Sequence, residues 1–214
     1  MRCATSSTRR SRGELVPVVT NPAARGSLSV SRSLVLVRHA RPDMTDHRPK
    51  AWGLADDGID DARRLGLSLR TVVSNEAPIV VCSTEPKAFE TAGALGFGGV
   101  RCDERLCEVD RPWYDDQHEF VGAVHRYLTG RTVPGWEPLD DAAARFGSVI
   151  TVLGDGAVVV SHGTVMSAWL SQWILDLDAV GFWEDLEMPD AWLVNLGARS
   201  AHRIALLGGP DPPD

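Results

Sequence analysis

The sequence predicts an α/β domain, a three-layer sandwich with a mostly parallel central sheet and helices on both faces. Short runs of β-favouring apolar residues alternate with stretches whose apolar positions fall at helical spacing. Two of those runs, Leu34–Val37 and Ala157–Val160, show no polar alternation, as strands buried on both faces require. Strand and helix taking turns along one chain is the pattern of a parallel sheet covered on both sides.

Each element follows in order. Residues 1–32 are rich in Arg and Ser with Glu14 as their one acid, and bury too little apolar surface to fold; we expect them to be a disordered extension. Their composition is that of an organelle transit peptide, and equally that of an extension outside the fold. The folded domain is expected over 33–208, with 209–214 as a tail. After the first strand comes a loop containing Pro42, Pro49 and Gly53. Asp56-Asp57-Gly58 opens a helix with Ile59, Ala62, Leu65, Leu69 and Val72 on one face. Ile79–Cys82 reads as a strand, Lys87–Leu95 as a helix, and Val100 marks a further short strand. Glu104–Tyr114 reads as an ordered loop. Residues 115–153 are expected to be mostly helical, broken by Gly130 and by Pro134–Pro138. Ala157–Val160 leads into a helix over Val165–Leu175, and two last strands are expected at Trp192–Leu196 and His202–Leu207.

The chain has 214 residues and a net charge of −7, which gives no overall attraction to nucleic acid or anionic membrane. No apolar run approaches the ~20 residues of a membrane helix. Cys3, Cys82, Cys102 and Cys107 form no CxxC pair and no zinc spacing, so reduced thiols and a cytoplasmic location are expected. Cys3 and Arg9 match a C-x5-R spacing, but no buried strand precedes them and the match is chance. Lysine occurs only at 50 and 87, so each lysine at a special position is notable.

Two segments share one grammar, an apolar strand that ends in a histidine: Leu34–Val37 before Arg38-His39-Ala40, and Ala157–Val160 before Ser161-His162-Gly163. In parallel sheets the carboxyl ends of strands form the ligand crevice, so both imidazoles are expected at one pocket. The helix that begins after His162 would aim backbone N–H groups, Gly163 among them, at an anion. Arg38 adds a planar donor fork suited to phosphate.

VLVRHARP resembles the RHG signature of the histidine phosphatase superfamily, which includes cofactor-dependent phosphoglycerate mutases and many small phosphatases. Four further segments resemble the family's elements in order: GLADDG, CSTEPKAFETA, RLCE and VVVSHGTVM, so that the likeness spans about residues 33–207. The resemblance implies a phosphatase that acts on a small phosphomonoester through a phosphohistidine, with no cofactor and no metal. It implies His39 as nucleophile, Glu108 as acid and base, and His162 as second histidine, with Arg38, Lys87, Arg41 and Gly163 around the phosphate. The partner is then a small phosphorylated substrate.

The sequence also departs from the family. Ala40 stands where Gly is usual, and Lys87 stands at the usual Arg, turning a fork into a point charge. Arg41-Pro42 removes a hydroxyl that often contacts phosphate, and Arg41 or Arg111 are candidates to supply what Lys87 lacks. Glu137 is a second candidate acid or simply a surface charge. Trp113 and Tyr114 are candidates for pocket wall or for packing, while His47, His118, His125 and His202 read as surface residues. No HxH or HExxH grouping is present. A phosphoglycerate mutase-type transfer and a non-catalytic phosphate-binding pseudo-enzyme are the alternatives. The short stretch from Glu108 to Gly135 weighs against the first, and intact Arg38, His39, Glu108 and His162 against the second.

Overall fold

The computed structural model describes residues 32–45, 48–73 and 77–205. The expected disordered extension up to residue 31, His47 and the tail at 209–214 lie outside the described residues. Six strands form one sheet in the order β3-β2-β4-β1-β5-β6: β1 (Ser33–Arg38), β2 (Val80–Cys82), β3 (Val100–Cys102), β4 (Ala157–Ser161), β5 (Asp190–Asn195) and β6 (Ser200–Arg203). The first four run parallel, and β5 and β6 are added antiparallel at the β1 edge.

The unbroken apolar strands are explained by what each face meets. Along β1, Leu34 and Leu36 point into one core, and Val35 and Val37 into the other. β4 divides likewise, with Ala157 and Val159 on one face and Val158 and Val160 on the opposite one. Helices α1 (Asp56–Leu69) and α2 (Pro86–Ala94) supply Leu65, Leu69, Ala88 and Ala92 to the second core. The larger first core is filled from α3 (Gln117–Leu128), α4 (Leu139–Ile150), α5 (Gly163–Trp173) and α6 (Ala179–Asp185), with Val124, Phe146, Met166 and Phe182 among its members. The fold is therefore the expected layered α/β sandwich.

Some expected elements differ. The first helix ends at Leu69 rather than Val72, because Arg70, Thr71 and Val72 form turns back onto the helix. β6 ends at Arg203, before the expected Leu207. Helix α6 arises in a stretch with no expected element; Asp178 caps it by accepting from the N–H groups of Val180 and Gly181. Gly58 sits where any Cβ would collide with the Arg41 carbonyl, so the start of α1 can close on the loop after β1 only with glycine there.

Candidate active site

The two histidines meet because β1 and β4 are hydrogen-bonded neighbours with Val37 opposite Val160 and Arg38 opposite Ser161. The ladder runs one residue further, with His39 N donating to the Ser161 carbonyl at 2.9 Å. Their rings lie edge to face, 5.1 Å apart between centroids. Arg38, His39, Lys87, Glu108 and His162 all line one cavity of about 500 Å³ at the carboxyl ends of the parallel strands. The sequence expectation that these residues converge is thus realised in space.

His39 is 6% exposed and its Nδ1 lies 2.8 Å from the Ala40 carbonyl. A carbonyl only accepts, so Nδ1 carries the proton and Nε2 keeps its lone pair. Burial, then the neighbouring His162, Lys87 and Arg38, hold the His39 pKa well below the ordinary 6.5. Ala40 itself is fully buried, and its N–H donates to Thr91 Oγ1 from α2 at 2.9 Å, which fixes the turn where the family has glycine.

His162 is fully buried, and its Nε2 lies 2.8 Å from Ser83 Oγ. Ser83 Oγ already donates to Cys107 Sγ, so the imidazole is the donor in this bond. Its Nδ1 is buried with no protein partner. Burial first, and then Lys87, Arg38 and Arg145, push its pKa well below 6.5. The free site therefore holds His162 neutral rather than as a standing cation.

Arg38 donates through Nη1 to the Leu186 carbonyl at 2.8 Å, while its buried Nε has no partner. Gly163 touches this guanidinium: a Cβ there would lie 3.3 Å from Arg38 Nε, so glycine lets the fork lie on the start of α5. The helix N-terminus itself is not open to an anion from outside. Glu108 fills it, with Oε2 accepting from Thr164 N at 3.1 Å and Oε1 from Val165 N at 2.9 Å. Val109 N also donates to Oε1, at 2.9 Å.

Lys87 is not the flexible point charge that its sequence position implies. Its Nζ donates to Glu85 Oε2 at 2.5 Å and to the Pro49 carbonyl at 2.6 Å, and both charged side chains are buried. Glu85 also accepts from Glu108 N at 2.9 Å and stands 3.6 Å from His162 Nε2. Sequence reasoning passed over Glu85; the signal available was an acid two residues before the one lysine at a family Arg position.

Arg41 does not reach the cavity: its guanidinium pairs with Asp57 on the surface, drawn away by the acidic first turn of α1. Arg111 does reach it, stacked 4.2 Å over the Phe120 ring, and its buried Nε has no partner. Glu137 lies off the cavity in a two-pronged ion pair with Arg145, at 2.6 and 2.8 Å. Arg145 also donates to the carbonyls of Arg105, Cys107 and Glu108, clamping the segment that carries Glu108, and was another residue missed in sequence. Trp113 and Tyr114 do wall the cavity. His125 pairs with Glu184 at 2.8 Å, and Asp116 caps α3. Among the described residues no group of three or more His, Cys, Asp or Glu side chains is placed to hold a metal ion, and no helix is long and apolar enough to cross a membrane.

Solved structures share this fold. A mycobacterial glucosyl-3-phosphoglycerate phosphatase in complex with inorganic phosphate is 22% identical with a TM-score of 0.60, covering 82% of this chain and 97% of its own. A putative α-ribazole-5'-P phosphatase from Escherichia coli is 20% identical with a TM-score of 0.58, covering 82% and 96%. The protein TTHB049 from Thermus thermophilus is 26% identical with a TM-score of 0.60, covering 81% and 99%. Comparison with curated proteins gives no match. Residues 34–205 match the histidine phosphatase superfamily (branch 1). A match over nearly all of the described chain, on a fold that brings the paired histidines to one cavity, makes this protein a member of the histidine phosphatase superfamily.

Proposed function

We propose that the protein is a metal-independent phosphatase that hydrolyses a small phosphomonoester through a phosphohistidine on His39. The observation that carries this reading is the His39 Nδ1 hydrogen bond to the Ala40 carbonyl, which leaves Nε2 as an unprotonated nitrogen in a cavity lined by cations. The depressed pKa of His39 keeps that nucleophile neutral at and below pH 7.

Nε2 attacks phosphorus in line, and the N–P bond forms as the ester P–O bond breaks. The leaving alkoxide takes a proton from Glu108 and departs as an alcohol. Both Glu108 oxygens accept backbone N–H groups, and Oε2, with one such bond, keeps a lone pair for this proton. Water then attacks the phosphohistidine and its proton passes to Glu108, so that inorganic phosphate leaves and His39 is regenerated. Arg38 and Lys87 line the same cavity, and their positive charge would stabilise the equatorial oxygens of the transferring phosphoryl group. His162 takes up a proton on Nδ1 as the dianion arrives, because a dianion beside the ring compensates both the burial that chiefly keeps the free imidazole neutral and the repulsion of Lys87, Arg38 and Arg145.

The phosphatase names carried by two structural neighbours are consistent with hydrolysis rather than transfer to a second acceptor. The test is turnover of an aryl phosphate with EDTA present. His39→Ala is expected to lower it by about 10³-fold or more with the fold retained. A labelled substrate should leave acid-labile, base-stable phosphoprotein in the wild type alone. Label retained by His39→Ala, or activity lost to EDTA and restored by a divalent ion, overturns the reading.

A further inference from the structure

We propose that the substrate of this site is a phosphomonoester whose alcohol carries an aromatic ring, held in an aromatic vestibule in front of His39. The inference rests on the phosphatase reading for the reaction, but the ligand class stands on the cavity wall itself. Five aromatic side chains line the cavity, Trp52, Trp113, Tyr114, Phe120 and Trp183, and they come from separate parts of the fold. Trp52 follows a 3-10 turn, Trp113 and Tyr114 belong to the segment after Glu108, Phe120 to α3 and Trp183 to α6. Trp52 and Trp113 meet edge to face at 5.7 Å, and Phe120 and Trp183 do so at 6.1 Å. The Arg111 guanidinium extends this surface by stacking on Phe120.

Two of the polar tips on these walls already have protein partners. Trp113 Nε1 donates to Asp115 at 2.8 Å, and Tyr114 OH accepts from Trp136 Nε1 at 2.9 Å. Lys50 is tied to Asp110 at 2.6 Å. Apart from the Arg111 guanidinium and the Gln117 amide, what this part of the wall offers is ring face and hydrocarbon, which suits a planar apolar group. A sugar buried here would leave hydroxyls short of partners. Glu85 offsets the charge of Lys87 beside the phosphate position, and the Arg111 guanidinium lies flat on the Phe120 ring, so its cation is presented together with an aromatic face. At the cavity, Met44, Met188 and Trp113 are 66%, 39% and 40% exposed, an apolar rim that a ring-bearing ligand would cover. A cavity of about 500 Å³ accepts a phosphate with one or two fused rings behind it.

The experiment compares naphthylmethyl phosphate with glycerol 3-phosphate and glucose 6-phosphate. All three release a primary alkoxide, so the ratio of kcat/KM reads the vestibule rather than the leaving group. A preference on the order of 30-fold or more for the naphthylmethyl ester is expected, mainly in KM. Trp52→Leu and Trp113→Ala, each checked for fold by circular dichroism, should reduce that ratio at least several-fold. A second arm measures calorimetric binding of naphthylmethylphosphonate and of a sugar phosphonate to His39→Ala protein, where no turnover intervenes. Equal treatment of the ligands, or a preference that survives both Trp substitutions, overturns the proposal. If no ester is turned over yet the naphthylmethylphosphonate binds selectively, the ligand class stands and the phosphatase reading falls. Turnover without aromatic preference has the reverse meaning.

Discussion

Glu85 and Lys87 flank Pro86 at the start of α2, and their side chains are 5% and 6% exposed where they meet at 2.5 Å. Two charges removed from water this completely depend on each other: breaking such a pair from one side costs about 3–5 kcal/mol, because the partner is left buried and uncompensated. Glu85→Gln and Lys87→Met are each expected to lose stability in that range in urea unfolding, while the double variant Glu85→Gln/Lys87→Met, whose amide oxygen still accepts from Glu108 N, recovers most of it. Phosphate inhibition should move in opposite directions. Glu85→Gln frees Lys87 for the anion and tightens inhibition by about tenfold, equivalent to about 1.4 kcal/mol, and Lys87→Met loosens it. Additive losses in the double variant, or weaker inhibition in Glu85→Gln, would show that the pair does not set the charge of the pocket. Sequence made Lys87 visible as a departure from the family pattern, and Glu85 two residues before it was in view, but their pairing was not legible, since a carboxylate two residues away along a turn has no fixed direction until Pro86 starts the helix.

At the scale of elements, the placement of Glu108 depends on two helices distant in sequence. The N-terminus of α5 receives the carboxylate, and Arg145 on α4 grips the carbonyls of Arg105, Cys107 and Glu108 from behind. Lysine cannot reproduce that planar fork or its ion pair with Glu137. Arg145→Lys is therefore expected to cost about 1.5–3 kcal/mol of stability, the scale of a charge-assisted hydrogen bond. It should also lower kcat by about tenfold or more with KM little changed, as Glu108 loses its register. A variant with wild-type kcat would show that α5 alone positions the acid. β1 and β4 were legible because strands buried on both faces leave unbroken apolar runs, and the histidines after them inherit that clarity. The RLCE segment located Glu108, but nothing local to it points to a residue 37 positions later. Helix α6 escaped because seven residues are too few for a helical period to stand out; its Asp178 cap was the local sign, and Trp183 on the cavity wall is the consequence.

The whole molecule responds to pH through the two imidazoles that the sheet buries. Folding holds both His39 and His162 well below the ordinary 6.5, desolvation being the first cause in each case. The unfolded chain, titrating near 6.5, binds protons that the folded protein refuses. Stability is therefore full above about pH 6.5 and declines as pH falls toward the depressed folded values, since its slope with pH is positive wherever the unfolded state holds more protons. With two such groups the loss between pH 7 and pH 5.5 is on the order of 1–3 kcal/mol. That window lies above the ordinary carboxylate range, so acidic side chains contribute little to it. Urea unfolding at both pH values is expected to show this loss in the wild type and about half of it in His162→Gln. Because Nε2 of His39 stays unprotonated through the same window, kcat/KM, once divided by the fraction of phosphomonoester present as the dianion (second pKa about 6), should not fall below pH 6.5 for as long as the fold persists. A stability that is flat from pH 7 to 5.5, or a rate so corrected that still falls with an apparent pKa near 6.5, would place protons on these histidines in the folded state and contradict their burial as neutral rings.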